Sequence, residues 1–295
     1  VTRLVIETGG SVTQSTKSCH LREPHIVVSS ARVSRSNELT MDRRSRLRVL
    51  LLALLNLVAT AVEIGLGNSH SCAVLNDQAV NCWGFNVASQ LGDGSTTSSS
   101  SPVQVVGISD ATSVALGSYH TCALLSIGTV KCWGRHTSGQ LGAGSMDAGS
   151  TFSSTPLDVS GITTATVIAV GELHSCAVVS GGSVKCWGNN NNGQLGTNDN
   201  TKYTTPGTVQ RYYRTSGLNR AKWTNGGLFT TIQLGSEHSC GLQSSTGYAY
   251  CWGKCQISLL SQFAACGSYR TEYYAMSSVT NLAVGATHSC AIRED

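Results

Sequence analysis

The sequence predicts an all-β protein built of repeated blades, a β-propeller, and three observations carry the prediction. A string Gly-x-x-His-[Ser/Thr]-Cys recurs five times, each copy follows an apolar stretch of period two, and the first four copies lead into a second strand ending Cys-Trp-Gly. The copies stand at Gly67/His70/Cys72, Gly117/His120/Cys122, Gly171/His174/Cys176, Gly235/His238/Cys240 and Gly285/His288/Cys290, at intervals of 50, 54, 64 and 50 residues. Periods of this length belong to propellers and arrays, in which each supersecondary unit buries its apolar face against the next.

Within a repeat the elements follow in a fixed order. Ile64 and Leu66, Val114 and Leu116, Ile168 and Val170, Ile232 and Leu234, and Leu282 and Val284 precede the glycines. Alternating aliphatic residues predict a half-buried strand. His-Ser-Cys-Ala-Val-Leu or a variant gives a second strand, a short turn such as Ser180-Gly181-Gly182 follows, and a third strand ends at Trp83-Gly84, Trp133-Gly134, Trp187-Gly188 or Trp252-Gly253. This pattern is a β-hairpin. A loop with Gln-Leu-Gly (Gln90 to Gly92, Gln140 to Gly142, Gln194 to Gly196) and a Pro-led apolar segment (Pro102 to Ile108, Pro156 to Ile162) complete the unit. No amphipathic helix is evident beyond residue 61, so the blades are expected to be all-β.

The stretch Val184 to Gly196, Val-Lys-Cys-Trp-Gly-Asn-Asn-Asn-Asn-Gly-Gln-Leu-Gly, together with the recurring His-Ser-Cys-Ala-Val, resembles the repeats of the regulator of chromosome condensation family, in its cysteine-bearing secreted variety. The resemblance covers about residues 62 to 295. It implies a propeller of about seven four-stranded blades, of which this chain carries four complete repeats and the start of a fifth. The fourth repeat departs from the pattern, with Lys254 to Cys266 in place of the Gln-Leu-Gly loop.

Twelve cysteines are present. Cys72 and Cys82, Cys122 and Cys132, and Cys176 and Cys186 are each separated by nine residues, and Cys240 and Cys251 by ten, symmetrically about a hairpin turn. Side chains alternate along strands, so both members of a pair share a face at disulfide reach. Four cross-hairpin disulfides are expected, with Cys255 and Cys266 as a fifth pair. Cys19 lies upstream of the repeats, and Cys290 opens a repeat whose second cysteine is due beyond the last residue. A zinc site is the competing reading, but each repeat offers at most three ligands, without close Cys-x-x-Cys spacing. No metal or other cofactor is expected.

An active site needs different groups converging on one pocket, whereas the five histidines recur in equivalent places. A structural hydrogen bond within each blade is expected for them, packing for the tryptophans, and no catalytic set. Specificity is expected in what does not repeat. Between Val209 and Leu228 an insertion carries Arg211, Tyr212, Tyr213, Arg214, Arg220, Lys222 and Trp223, residue types enriched in binding hot spots. A solvated variable loop is the plainer reading. Tyr269 to Tyr274 is a second candidate.

Met41 begins a candidate secretory leader: Arg43, Arg44, Arg46 and Arg48, an apolar run from Val49 to Val58, and Ala59-Thr60-Ala61. This is the order of n-region, h-region and small-residue cleavage site, and the run falls short of the ~20 residues that span a bilayer. An uncleaved anchor and a core helix are the alternatives, and residues 1 to 40 are read as a non-native upstream extension or a disordered segment. The formal charge of +4 over 295 residues concentrates at this end: positions 51 to 295 hold eleven basic and twelve acidic residues. Composition therefore gives no support to a nucleic-acid partner.

Together these readings predict a secreted, non-catalytic platform for an extracellular protein or glycan, a monomer when complete, membrane-bound only with the leader uncleaved. The resemblance implies two alternatives: guanine-nucleotide exchange with chromatin binding, as in the family's nuclear founder, and inhibition of a secreted enzyme, since a bacterial β-lactamase-inhibiting protein shares the propeller fold.

Overall fold

The computed structural model describes residues 3–6, 61–145, 150–210, 212–214, 220–222, 228–243, 245–254 and 274–293. Among these, every regular element is a strand. Four blades are four-stranded antiparallel sheets with strands in chain order. Blade 1 holds β2 (Ala61–Leu66), β3 (His70–Leu75), β4 (Val80–Gly84) and β5 (Ser99–Gln104). Blade 2 holds β6 (Ala111–Leu116), β7 (His120–Leu125), β8 (Val130–Arg135) and β9 (Phe152–Asp158). Blade 3 holds β10 (Ala165–Val170), β11 (His174–Val179), β12 (Ser183–Gly188) and β13 (Tyr203–Thr208). Blade 4 holds β16 (Thr231–Leu234), β17 (His238–Gln243), β18 (Tyr248–Gly253) and β19 (Tyr274–Met276). A fifth sheet pairs β20 (Val279–Val284) with β21 (Ser289–Arg293), whose other edge takes β1 (Arg3–Ile6). The rest of residues 1 to 40 and the candidate leader up to residue 60 lie outside the described residues. Strand β2 begins at Ala61, the last residue of the predicted cleavage site.

The predicted hairpin is β3–β4 and its equivalents. Its turn closes with Gln78 N–H donating to Leu75 C=O, and Gln78 takes the left-handed conformation that Gly128, Gly182 and Gly247 take in the other blades. In blades 1 and 2 this is a three-residue loop with one left-handed residue, which matches the twist of the flanking strands. Registers place Cys72 opposite Cys82, Cys122 opposite Cys132, Cys176 opposite Cys186 and Cys240 opposite Cys251. All four pairs are disulfide-bonded, with Cα–Cα distances of 4.0 to 4.1 Å. The proposed Cys255–Cys266 pair falls outside the described residues.

The apolar core lies between blades. One cluster joins Val74, Val80, Leu91 and Ile108 of blade 1 to Val114, Leu116 and Trp133 of blade 2, and the next two seams repeat the arrangement. The innermost strands β2, β6, β10, β16 and β20 neighbour one another in order. The predicted burial of the alternating aliphatic pair holds at Val114 and Leu116 but not in blade 1, where Ile64 is 44% and Leu66 75% exposed. Among the described residues no preceding blade lies against them. For the same reason Trp83 is only half-buried, while Trp133, Trp187 and Trp252 are fully buried.

Candidate binding face

The recurring residues act at the seams. His70 Nε2 meets Thr121 Oγ1 of the next blade at 2.8 Å, His120 meets Ser175 at 2.9 Å, His174 meets Ser239 at 3.0 Å and His238 meets Ser289 at 2.9 Å. Thr121, Ser175 and Ser239 donate their single hydroxyl hydrogen to the backbone carbonyls of Gln90, Gln140 and Gln194 in the preceding blade. Each must therefore accept from imidazole, which fixes the Nε2–H tautomer of His70, His120 and His174. The same three carbonyls take the indole N–H of Trp133, Trp187 and Trp252, each at 2.9 Å. The expectation of a histidine bond within the blade is corrected: the bond crosses to the next blade, because the ring lies at the seam, where the neighbouring hydroxyl is the partner in reach.

The motif's glycine has a matching reason. A Cβ on Gly67 would lie 2.6 Å from the Gly117 carbonyl oxygen of blade 2 and 3.0 Å from His70 Nδ1, so no side chain fits between ring and seam. The glycine of Gln-Leu-Gly is fixed by both space and dihedral: Gly92 has φ +71°, and its Cβ would lie 2.6 Å from the Trp133 indole nitrogen. Burial lowers the histidine pKa values, to about 4 at His70 and His238 and about 3 at His120 and His174. Neighbouring imidazoles reinforce the shift at His120, His174 and His238. Nδ1 of His70, His120 and His174 has no hydrogen-bond partner among the described residues, so these rings have nowhere to place a second proton. They are structural groups held neutral. Among the described residues no three His, Cys, Asp or Glu side chains gather as a metal site.

With the recurring side chains directed into the seams, one end of the sheets presents positions that are equivalent in backbone but differ in side chain from repeat to repeat. Directly after each Trp-Gly, the N–H of Phe85, Arg135, Asn189 or Lys254 bonds the carbonyl of Ser69, Tyr119, Leu173 or Glu237, the residue before each histidine. One backbone pairing thus presents four different side-chain pairs. Arg135 sits over the Tyr119 ring at 5.6 Å and also donates to Thr137. Lys254 and Glu237 form an ion pair at 2.8 Å, and Asn192 of blade 3 reaches Glu237 across the seam. In blade 1 Phe85 and Val87 are 40% and 56% exposed. The same loops rim a central cavity of about 370 Å³ through Asn68, Ser118, Glu172, Ser236 and Ala286.

The sequence-predicted insertion belongs to the other end. It leaves blade 3 where Val209 N–H bonds Val184 C=O and returns where Phe229 N–H bonds Gly182 C=O, both at the hairpin turn of that blade. Its described part is a ribbon, β14 (Tyr212–Arg214) paired with β15 (Arg220–Lys222). Arg211, Trp223 and Tyr269 to residue 273 lie outside the described residues. The variation after Trp-Gly and before His is visible in the sequence, but that these two positions pair with each other in every blade is visible only in the structure.

Residues 61–90, 111–140 and 166–194 match one family model and residues 79–124 and 128–178 another, both described as Regulator of chromosome condensation (RCC1) repeat. The chain is 32% identical over 192 residues to the ultraviolet-B receptor UVR8 of Arabidopsis thaliana, a match covering 64% of this chain and 40% of the receptor. Among solved structures it is similar to human WBSCR16 (TM-score 0.63, 19% identity, 80% of this chain and 58% of that one). It is also similar to Prp20p of Saccharomyces cerevisiae (TM-score 0.61, 19% identity, 79% and 56%), a structure reported with that protein's binding to Gsp1p and histones. The chain thus spans well under two thirds of the length of each.

Proposed function

Because the chain belongs to the family built of regulator of chromosome condensation repeats, we propose that it is a non-catalytic binding platform of an oxidising, extracellular compartment. The partner, a protein or a glycan, is recognised through the loop face that carries Phe85, Val87, Tyr119, Arg135 and Asn189. One observation carries this reading: side chains common to the repeats are used at the seams, and at one end of the sheets an identical backbone pairing carries a different side-chain pair in each blade. A rigid scaffold with variable loops is how binding sites are commonly built. Four disulfides support the compartment, since paired thiols persist where conditions are oxidising.

The test is affinity capture from extracellular fluid with the wild-type chain, with Phe85→Ala/Arg135→Ala, and with a variant lacking the β14–β15 ribbon. The expected result is a partner retained by the wild type and the ribbon-less variant and lost, by tenfold or more, from the double variant. Equal capture by all three would remove the loop face from the proposal. Acceleration of guanine-nucleotide release from a small GTPase by the purified chain would replace the platform with the exchange-factor reading.

A further inference from the structure

We infer that the outer edges of the blades are sites of O-linked glycosylation, with Ser101, Thr155 and Thr205 as the acceptors. The inference rests on the extracellular setting of the platform reading and takes nothing else from it.

The outer strands carry it. In blades 1, 2 and 3 a hydroxyl residue stands directly before proline: Ser101-Pro102, Thr155-Pro156 and Thr205-Pro206. Each pair lies in the same bulge of its sheet. Cys82 pairs with Val103 and Gly84 with Ser99, so Ser100, Ser101 and Pro102 together face Trp83 alone. Ser154 to Pro156 face Trp133, and Thr204 to Pro206 face Trp187, in the same way. A bulge leaves its extra residues out of the ladder and re-aims their side chains. In blades 2 and 3 it is also clamped from the blade before, where Gly94 N–H donates to Ser154 C=O and Gly144 N–H to Thr204 C=O.

The hydroxyls of these strands divide into two groups. Those of Ser99 and Ser153 donate to the carbonyl two residues on. Those of Ser101, Thr155 and Thr205 belong to exposed residues and make no hydrogen bond among the described residues. The proline that follows holds each in extended backbone, and an extended segment at a sheet edge is a form in which a second protein reads a peptide. Ser/Thr-rich sequence with proline is the composition of O-glycosylated chains, and Ser95 to Ser101 is an unbroken run of seven Ser or Thr.

These edges also lack a common protection. Exposed edge strands are often kept from pairing with other chains by charged side chains. Strands β5, β9 and β13 hold one charged residue between them, Asp158, and it is paired with Lys131. A sugar on the bulge supplies a bulky, solvated cover. In the transfer the hydroxyl oxygen bonds the anomeric carbon of a sugar activated as its nucleotide or lipid phosphate. The bond from that carbon to phosphate breaks, the phosphate leaves with the electron pair, and the hydroxyl proton passes to a base of the transferase.

The experiment expresses the full chain in a eukaryotic secretory host, once with its own N-terminus and once behind a heterologous leader. Wild type and Ser101→Ala/Thr155→Ala/Thr205→Ala are compared by intact mass before and after alkaline β-elimination, and by fragmentation of their glycopeptides. The expected result is a wild type bearing hexose or N-acetylhexosamine units that β-elimination removes, mapped to those three residues, with the added mass at least halved in the triple variant. A secreted, leader-fused wild type at its bare sequence mass overturns the inference and leaves the platform reading standing. Sugar retained in full by the triple variant also overturns it, as does phosphate on these residues in place of sugar. Retention in the cell of the chain with its own N-terminus overturns the extracellular setting, and this inference with it, whatever the leader-fused chain carries.

Discussion

At each of three seams one hydroxyl makes two hydrogen bonds to the preceding blade. Ser175 accepts from His120 and donates to Gln140 C=O, and Trp187 donates to the same carbonyl. Replacing Ser175 by Ala leaves a buried imidazole N–H without an acceptor, at a cost of about 1–3 kcal/mol. Ser175→Thr should restore stability, since Thr121 makes the same two bonds one blade earlier. Urea unfolding of the two variants checks this, and an unchanged midpoint for Ser175→Ala would show that the hydroxyl is not the bridge. At this scale the sequence named the histidine, the hydroxyl residue, the glycine and the tryptophan as recurrent but could not say what they touch. Bonded atoms here lie 31 to 65 residues apart in the chain, and the acceptor on Gln90, Gln140 or Gln194 is a backbone oxygen, to which residue type is no guide.

At the scale of the element, the hairpin was the most legible part, because its evidence is local. Period-two aliphatic residues, a turn with a left-handed residue and cysteines symmetric about it all fall within one short segment, and the observed registers of β3–β4, β7–β8, β11–β12 and β17–β18 pair those cysteines. Closing a loop of this size by a disulfide stabilises by about 3 kcal/mol, counted as unfolded-state entropy. Cys176 and Cys186 are fully buried. Cys176→Ala/Cys186→Ala should therefore lower the unfolding free energy by about 3 kcal/mol or more. The native wild type should resist millimolar reductant until denaturant is added. Calorimetry and thiol titration measure the two effects, and rapid titration of native thiols would contradict the burial. Less legible was the exposure of Ile64 and Leu66, since an alternating pattern identifies a face but not whether a neighbour covers it.

Across the whole molecule the seams respond to acid together. His70, His120, His174 and His238 ionise near 6.5 when unfolded but only near 3 to 4 when folded. A lowered folded-state pKa means that the unfolded chain binds more protons below pH 6.5, so stability falls as pH falls, until the folded values are reached. Each histidine can remove about 1.4 kcal/mol per pH unit in that window, against a typical total of about 5–15 kcal/mol. The unfolding midpoint should hold between pH 8 and 7 and drop steeply from pH 6 to 5, as circular dichroism can follow. A flat profile through pH 5 would show that the rings are not held neutral.

The seam also has a direction. Its leading side offers imidazole and a glutamine carbonyl, and its trailing side offers a hydroxyl and an indole. A blade turned end for end would set donor against donor. Among the described residues nothing covers the trailing side at β2, where Val62, Ile64 and Leu66 are exposed, and at the fifth sheet His288 is exposed on a leading side. Whatever covers either surface with the same bonds must arrive in one orientation. Self-association through these surfaces would thus be polar, head to tail, rather than related by a two-fold axis.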